Sequence, residues 1–348
     1  MPYRRNKITR YFLLFLLAIT GCKGQTVKPQ KTPPVSNSAD SSFAKGADVS
    51  WLTQMEAAGF KFYDTTGRQE DCLQILKEKG INAIRLRAWV NPSGRWCGTT
   101  DVLSKALRAH QAGFKVMIDF HYSDTWADPV HQSKPITWVN AGTSPLIDSV
   151  YQYTYSVLSL LKSNGIIPQW IQVGNETNNG MLWPNGMASI HMNTFAQMIN
   201  AGYNAAKAVD SSIQVIVHIS NGYDNNLFRW MFDGLKLNGA HWDIIGMSLY
   251  PDANNWQSLD NECLSDMQDM ISRYGKKVMV CEAGMSWTDS LASRQFLTDI
   301  ISKVKSLPAG MGLGVFYWEP ECYNWMNYTK GAFNNNGQPT QALDAFEQ

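Results

Sequence analysis

Two glutamates in this chain each close an apolar run: Glu176 follows "WIQVGN" (170–175) and Glu282 follows "KVMVC" (277–281). A carboxylate is costly to bury without a partner, so two delivered in the same way call for a shared purpose. Hydrolysis of a glycosidic bond needs such a pair, one carboxyl to protonate the leaving oxygen and one to act from the opposite face. Each also has an ordinary explanation. Glu176 could cap the next helix or sit in its first turn, and Glu282 could be the buried partner of Arg85 or Arg87 in "IRLRAWV". An arginine against one carboxylate would keep it ionised as a nucleophile while the other stays protonated as an acid. Glu319 and Glu321 are rival carboxylates near the last strand, and they rank lower because neither has a facing partner on the right strand. The six histidines show no HxH or HExxH spacing, which disfavours a metal-dependent hydrolase, and no cofactor is implied.

These residues need elements to hold them. Strand patterns run over 43–50, 82–90, 115–122, 169–176, 213–220, 242–250, 276–284 and 313–319. Between them lie stretches with apolar residues at three- and four-residue spacing, such as 70–80 and 144–165. Gly80, Gly113, Gly165 and Gly275 stand where helices should stop before the next strand. Eight strands alternating with helices predict an α/β fold, a (β/α)8 TIM barrel forming a single catalytic domain over 43–348. Asp48, Arg87, Trp89, His121, Asn175, Glu176, Tyr250, Glu282 and Trp318 all fall at or near strand C-terminal ends, which converge on one face of such a barrel. No GxGxxG or GxxxxGK[ST] follows the first strand, so nucleotide-binding α/β folds lack their signature.

The rest of the chain narrows the setting. A formal charge of +1, with no basic stripe beyond the first ten residues, argues against nucleic acid as a partner. Arg4, Arg5, Lys7 and Arg10 precede the apolar run 11–19, too short to span a bilayer, which ends in "ITGC" (19–22). This order predicts a lipoprotein signal peptide over 1–21, with Cys22 freed for lipidation and the mature protein anchored at an outer membrane or cell surface rather than spanning it. Residues 22–42 are rich in Pro, Ser, Lys and Gln and read as a flexible tether. Five cysteines remain, an odd number without CxxC, which argues against a disulfide scaffold or a structural zinc site.

Taken together, "GADVSW", "IRLRAWVNP", "DFHYSDTWADP", "VGNETNNGMLWP", "GMSLYP", "CEAGMSW" and "FYWEP" resemble glycoside hydrolase family 53, the endo-β-1,4-galactanases, from about Lys45 to the final helix. The resemblance implies a retaining enzyme acting on β-1,4-galactan or type I arabinogalactan, with Glu176 as acid/base and Glu282 as nucleophile. It further implies that Asn175 binds the sugar 2-hydroxyl and that Arg87 is the cation beside Glu282. Tyr250 would bond the nucleophile, and Trp318 would floor the cleavage subsite. His121 is expected to hydrogen-bond substrate; Asp48 to orient a neighbour or touch sugar; Trp89 to line the cleft or pack the barrel top. Trp126, Trp138, Trp183 and Trp325 lie in expected loops, where they could stack on further sugars. Some bacterial relatives carry a calcium-binding loop after the seventh strand. Only "GMSWTDSLASR" follows Glu282 here, without alternating Asp/Asn ligands, so no calcium is expected in that loop. The rival enzymes are a β-mannanase or cellulase of the same clan; the rival of another class is a non-catalytic glycan-binding lipoprotein.

Overall fold

The computed structural model describes residues 43–348; the expected signal peptide, Cys22 and the tether lie outside them. Eight parallel strands close into one barrel: β1 (Ala44–Asp48), β2 (Ala83–Ala88), β3 (Lys115–Phe120), β4 (Trp170–Val173), β5 (Gln214–Ile219), β6 (Ile244–Leu249), β7 (Lys277–Ala283) and β8 (Gly312–Trp318). Their order around the barrel is their order in the chain. Two short helices, α1 (Leu52–Ala57) and α2 (Cys72–Glu78), share the first connection. One long helix fills each later connection: α3 (Thr99–Gln111), α4 (Thr143–Ser163), α5 (Ala188–Val209), α6 (Asn225–Leu237), α7 (Trp256–Tyr274) and α8 (Ser290–Ser306).

The helix expected after β8 is instead a 3-10 helix, Gln341–Glu347, packed against α8. Lys45 and Lys79 tie it down, through Phe346 O at 2.7 Å and Asp344 at 2.6 Å. Two short ladders that periodicity does not reveal, Phe62–Tyr63 with Gln69–Glu70 and Gly180–Met181 with Gly186–Met187, fold the first and fourth loops back on themselves.

Local chemistry sets the helix limits. The side chains of Asp71 and Asp224 accept from the backbone N–H three residues on, at the starts of α2 and α6. The expected stop glycines all take positive φ just past α2, α3, α4 and α7. Among the described residues no helix is long and apolar enough to cross a membrane, and all five cysteines are buried free thiols.

Strand alternation sorts the core into two clusters. Ala44, Ala83, Met117, Trp170, Ile216, Ile244, Met279, Cys281 and Phe316 fill the barrel floor, while the outward-facing residues pack under the helices. Gly46 makes room for the Phe316 ring, since a Cβ there would lie 2.1 Å from Phe316 Cδ1. Two or four residues further along the strands, the inward positions turn polar: Asp48, Arg85, Asp119, Gln172, His218 and Ser248.

Strict alternation on β7 would break this layer. Met279 and Cys281 point inward and Val280 outward, so Glu282 should face the helices. A β-bulge prevents it. Met247 pairs with Val280, yet the next residue, Ser248, pairs with Glu282, so Cys281 is the extra residue and Glu282 joins the interior.

Candidate active site

The polar layer is organised by one guanidinium. Arg85 Nη1 donates to Asp48 Oδ2 at 2.5 Å, Nε to Gln172 Oε1 at 2.6 Å and Nη2 to Asn175 Oδ1 at 3.0 Å. Nη2 also pairs with Asp119 at 3.0 Å and with Glu282 Oε1 at 2.7 Å. Burial works against this cation, but Asp119, Glu282 and Asp48 raise its pKa well above the usual guanidinium range. The remaining Glu282 oxygen, Oε2, accepts from the Tyr250 hydroxyl at 2.7 Å. Both Glu282 oxygens are thus held by donors suited to a negative charge.

Glu176 sits differently. Gly174 (φ 86°) and Glu176 itself (φ 40°) turn the chain sharply as it leaves β4. A positive φ is uncommon for a residue with a side chain and is found at sites where neighbours over-determine the backbone. Glu176 is half-buried, and Ser248 Oγ donates to its Oε1 at 2.7 Å. Burial first, and then the charge of Glu282, push its carboxyl up to about 8. Burial raises Glu282 too, opposed by Arg85 and Tyr250. Asp48, Asp119 and Glu282 already share Arg85, so Glu176, which has no cation bonded to it, is the member that keeps a proton.

The mouth is lined with aromatic rings. Trp318 is half-buried and meets Tyr328, Trp51 and Trp126 edge-on, at centroid distances of 4.9, 5.3 and 5.9 Å. Beneath them Arg87 lies 4.1 Å from the Trp126 ring centre and 5.0 Å from that of Trp89. Its Nη1 pairs with Glu319 at 3.1 Å.

This chain has close relatives among known proteins. The family model for glycosyl hydrolase family 53 matches residues 44–346. The chain belongs to that family. It is 34% identical over 301 residues to the probable arabinogalactan endo-β-1,4-galactanase A of Aspergillus terreus, covering 79% of this chain and 85% of that one. It is 32% identical to the endo-β-1,4-galactanase of Bacillus subtilis, covering 80% and 70%. Among solved structures, the Ignisphaera aggregans GH53 catalytic domain superposes with a TM-score of 0.80 at 30% identity, covering 88% of this chain and 95% of that one.

For this family 53 chain, the site residues expected from sequence divide into three groups. Glu176, Glu282, Asn175, Tyr250 and Trp318 come together at the mouth. Arg87 does not stand beside Glu282; Arg85 does. The two alternate with Leu86, but Arg85 points to the axis between Asp48 and Gln172, whereas Arg87 lies among the tryptophans. His121 is buried: its Nε2 lies 2.9 Å from Asp119, and its Nδ1 accepts from Ala127 N at 3.0 Å and Trp89 Nε1 at 3.3 Å. Asp48 orients a neighbour: it holds Arg85 and accepts twice from Ser50. Trp89 packs on Trp126 and bonds His121.

Sequence reasoning missed Asp119, Gln172, His218 and Ser248. Each is a polar residue inside an otherwise apolar strand, at the parity of the barrel axis, and that parity was the available signal.

Glu319 and Glu321 are fully buried beside Arg87. Glu319 accepts from Trp51 N and Arg87 and is raised to about 7, by burial first and then by Asp48. Burial and then Glu319 raise Glu321 further. With Cys322 they are the only group of three possible metal ligands among the described residues. The adjacent Arg87 already supplies the balancing positive charge, and a shared proton accounts for the pair.

Proposed function

We propose that this protein is a retaining endo-β-1,4-galactanase that cleaves galactan and type I arabinogalactan. The observation that carries the reading is the unequal treatment of two carboxyls at the ends of β4 and β7. Glu282 is gripped by Arg85 and Tyr250, and Glu176 has no cation bonded to it and is raised to about 8. The named family relatives direct that chemistry to β-1,4-galactan.

In this mechanism Glu282 attacks the anomeric carbon while Glu176 gives its proton to the departing glycosidic oxygen, leaving a galactosyl ester on Glu282. Glu176, now a carboxylate, takes a proton from water; the hydroxide equivalent attacks the same carbon and the Glu282 carboxylate leaves. Asn175 is fixed by Arg85 at its oxygen and by Ala127 O at one N–H, so its second N–H is free for the sugar 2-hydroxyl. Trp318 offers the half-buried ring on which the galactose face would lie.

The N-terminal residues fit the same reading as a lipoprotein signal over 1–21, an acylated Cys22 and a tether over 22–42, which would hold the enzyme at an outer membrane or cell surface where polysaccharide arrives. Labelled palmitate should enter the wild-type chain in cells and not Cys22→Ala; equal labelling of both would end that part of the proposal.

The deciding experiment is digestion of linear β-1,4-galactan by the purified protein, with proton NMR of the new reducing ends in the first minutes. A ladder of oligosaccharides with fresh β-anomer is expected, and Glu282→Ala should lose turnover while still binding oligosaccharide. Cleavage of mannan or cellulose instead, fresh α-anomer, or an active Glu282→Ala would each overturn the proposal at a different step.

A further inference from the structure

A chain of hydrogen bonds runs from Arg85 through Gln172, His218 and Ser248 to Glu176. Gln172 can take only one orientation in it. Its Oε1 accepts from Arg85 Nε at 2.6 Å and its Nε2 donates to Asp119 Oδ1 at 3.1 Å. Turning the amide over would set N–H against the guanidinium and oxygen against the carboxylate. Nε2 therefore also presents its second hydrogen to His218 Nδ1, 2.8 Å away. The backbone N–H of Glu176 points to the same nitrogen at 3.5 Å.

One contact opposes this arrangement: Asn175 Oδ1 lies 3.0 Å from His218 Nδ1 and would favour a proton there. That oxygen already accepts from Arg85, whereas a proton on Nδ1 would collide with the Gln172 donor, so the two donors prevail. His218 is fully buried, and burial and the nearby Arg85 lower it to about 3, which keeps the ring neutral with a single proton to place.

From this geometry we infer that His218 and Ser248 are positioning residues that direct the acid proton of Glu176 onto Oε2, the oxygen not facing the barrel wall. With Nδ1 accepting, His218 carries its proton on Nε2 and donates to Ser248 Oγ at 2.8 Å. The Ser248 hydroxyl then has one direction left for its own hydrogen, Glu176 Oε1 at 2.7 Å. A carboxyl whose Oε1 is already accepting holds its proton on Oε2. With the other tautomer the order reverses, Glu176 donates into the wall through Ser248, and its proton is turned away from the substrate. Ser248 faces the axis by the regular alternation of β6, and the bulge on β7 brings Glu282 level with it.

The inference rests on Glu176 being the acid. The groups acting on Glu176 are Glu282 on β7, Arg85 on β2, Asp128 in the loop after β3 and Ser248 on β6. Removing the Ser248 hydroxyl takes away a bond that favours the ionised form, so the alkaline limb of the pH profile should move to higher pH.

The test has two readouts. Nitrogen NMR of histidine-labelled protein, with His218→Gln to assign the signal, should find His218 neutral with its proton on Nε2; a proton on Nδ1 overturns the inference without any activity measurement. On galactan, Ser248→Ala should lower kcat about tenfold, the scale of one hydrogen bond, with KM little changed and the alkaline limb moved up, while Ser248→Thr restores both. A Ser248→Ala enzyme with wild-type kcat and limb, beside an inactive Glu176→Gln, sinks the relay and leaves the acid assignment standing. A fully active Glu176→Gln removes the assignment itself.

Discussion

Arg85 and Arg87 are two residues apart, carry the same charge and are equally buried, yet they serve different neighbourhoods. Arg85 is the hub of Asp48, Asp119, Gln172, Asn175 and Glu282; Arg87 is a stacked cation whose acidic partner is Glu319. The planar fork of Arg85 cannot be reproduced by an ammonium group. Arg85→Lys should therefore lose several charge-assisted hydrogen bonds at about 1.5–3 kcal/mol each, lowering kcat/KM on galactan by about a hundredfold or more. Arg87→Lys keeps the charge beside Glu319 and should stay within about tenfold of wild type, its main cost falling on the tryptophan packing and hence on Tm. If Arg87→Lys proves the more damaging to turnover, the assignment of Arg85 as the partner of Glu282 fails.

At the scale of an element, the site depends on departures from regular strand geometry. The bulge at Cys281 turns Glu282 inward, and the positive φ at Gly174 and Glu176 swings the end of β4 across the mouth. Tyr122 and Glu319, after β3 and β8, share that conformation at 49° and 48°, so backbone strain collects at the catalytic face of the barrel. The opposite requirement holds below, where the floor must be filled without gaps. Gly46→Ala would drive a methyl into the Phe316 ring, whose nearest atom would be 2.1 Å from the new Cβ. Overpacking of this kind costs about 1–3 kcal/mol, read as a lower urea midpoint at unchanged slope. An unchanged midpoint would mean that the floor yields more easily than its packing implies.

Over the whole molecule, buried carboxyls set the response to pH. Burial raises Asp260 to about 9, with Asp299 adding to it, and raises Asp266 and Glu319 to about 7. Glu176 and Glu321 are raised as well. A carboxyl raised in the folded state binds more protons folded than unfolded. Its contribution is complete below the unfolded value of about 4 and is lost as pH rises through the folded value. Asp64, Asp210 and Asp269, held near 2 with hydrogen bonds to Thr66, Ser212 and Arg229 the leading cause, act in the other direction and lose their contribution only in strong acid. Thermal melts should therefore give the highest Tm at about pH 4–5 and a steady fall toward about pH 9. Glu321→Gln and Asp260→Asn should each flatten that fall. A Tm that climbs from mild acid into alkali would contradict the assignment of these groups as protonated in the fold.

Much of this protein was legible in the order of its residues. The alternation of β-rich runs with helical spacing located all eight barrel strands, because burial on both faces demands continuous apolar runs and the helices between them need a dry stripe. The same order put Glu176 and Glu282 at strand ends, and parallel strands in a closed barrel bring those ends to one face. Tertiary structure decided which way each side chain turns. A one-residue bulge on β7 reverses the facing of Glu282, and nothing in "KVMVCEAG" announces it. Arg85 and Arg87 share one strand parity, so the choice between them follows from height along β2, where Arg85 is level with Asp48 and Arg87 lies one step nearer the tryptophans, and the setting of His121 follows from Trp89, Asp119 and the backbone of Ala127 closing on its ring. Periodicity in one chain records how much of a residue is buried, whereas the partner it is buried against is fixed only when distant strands close on one another.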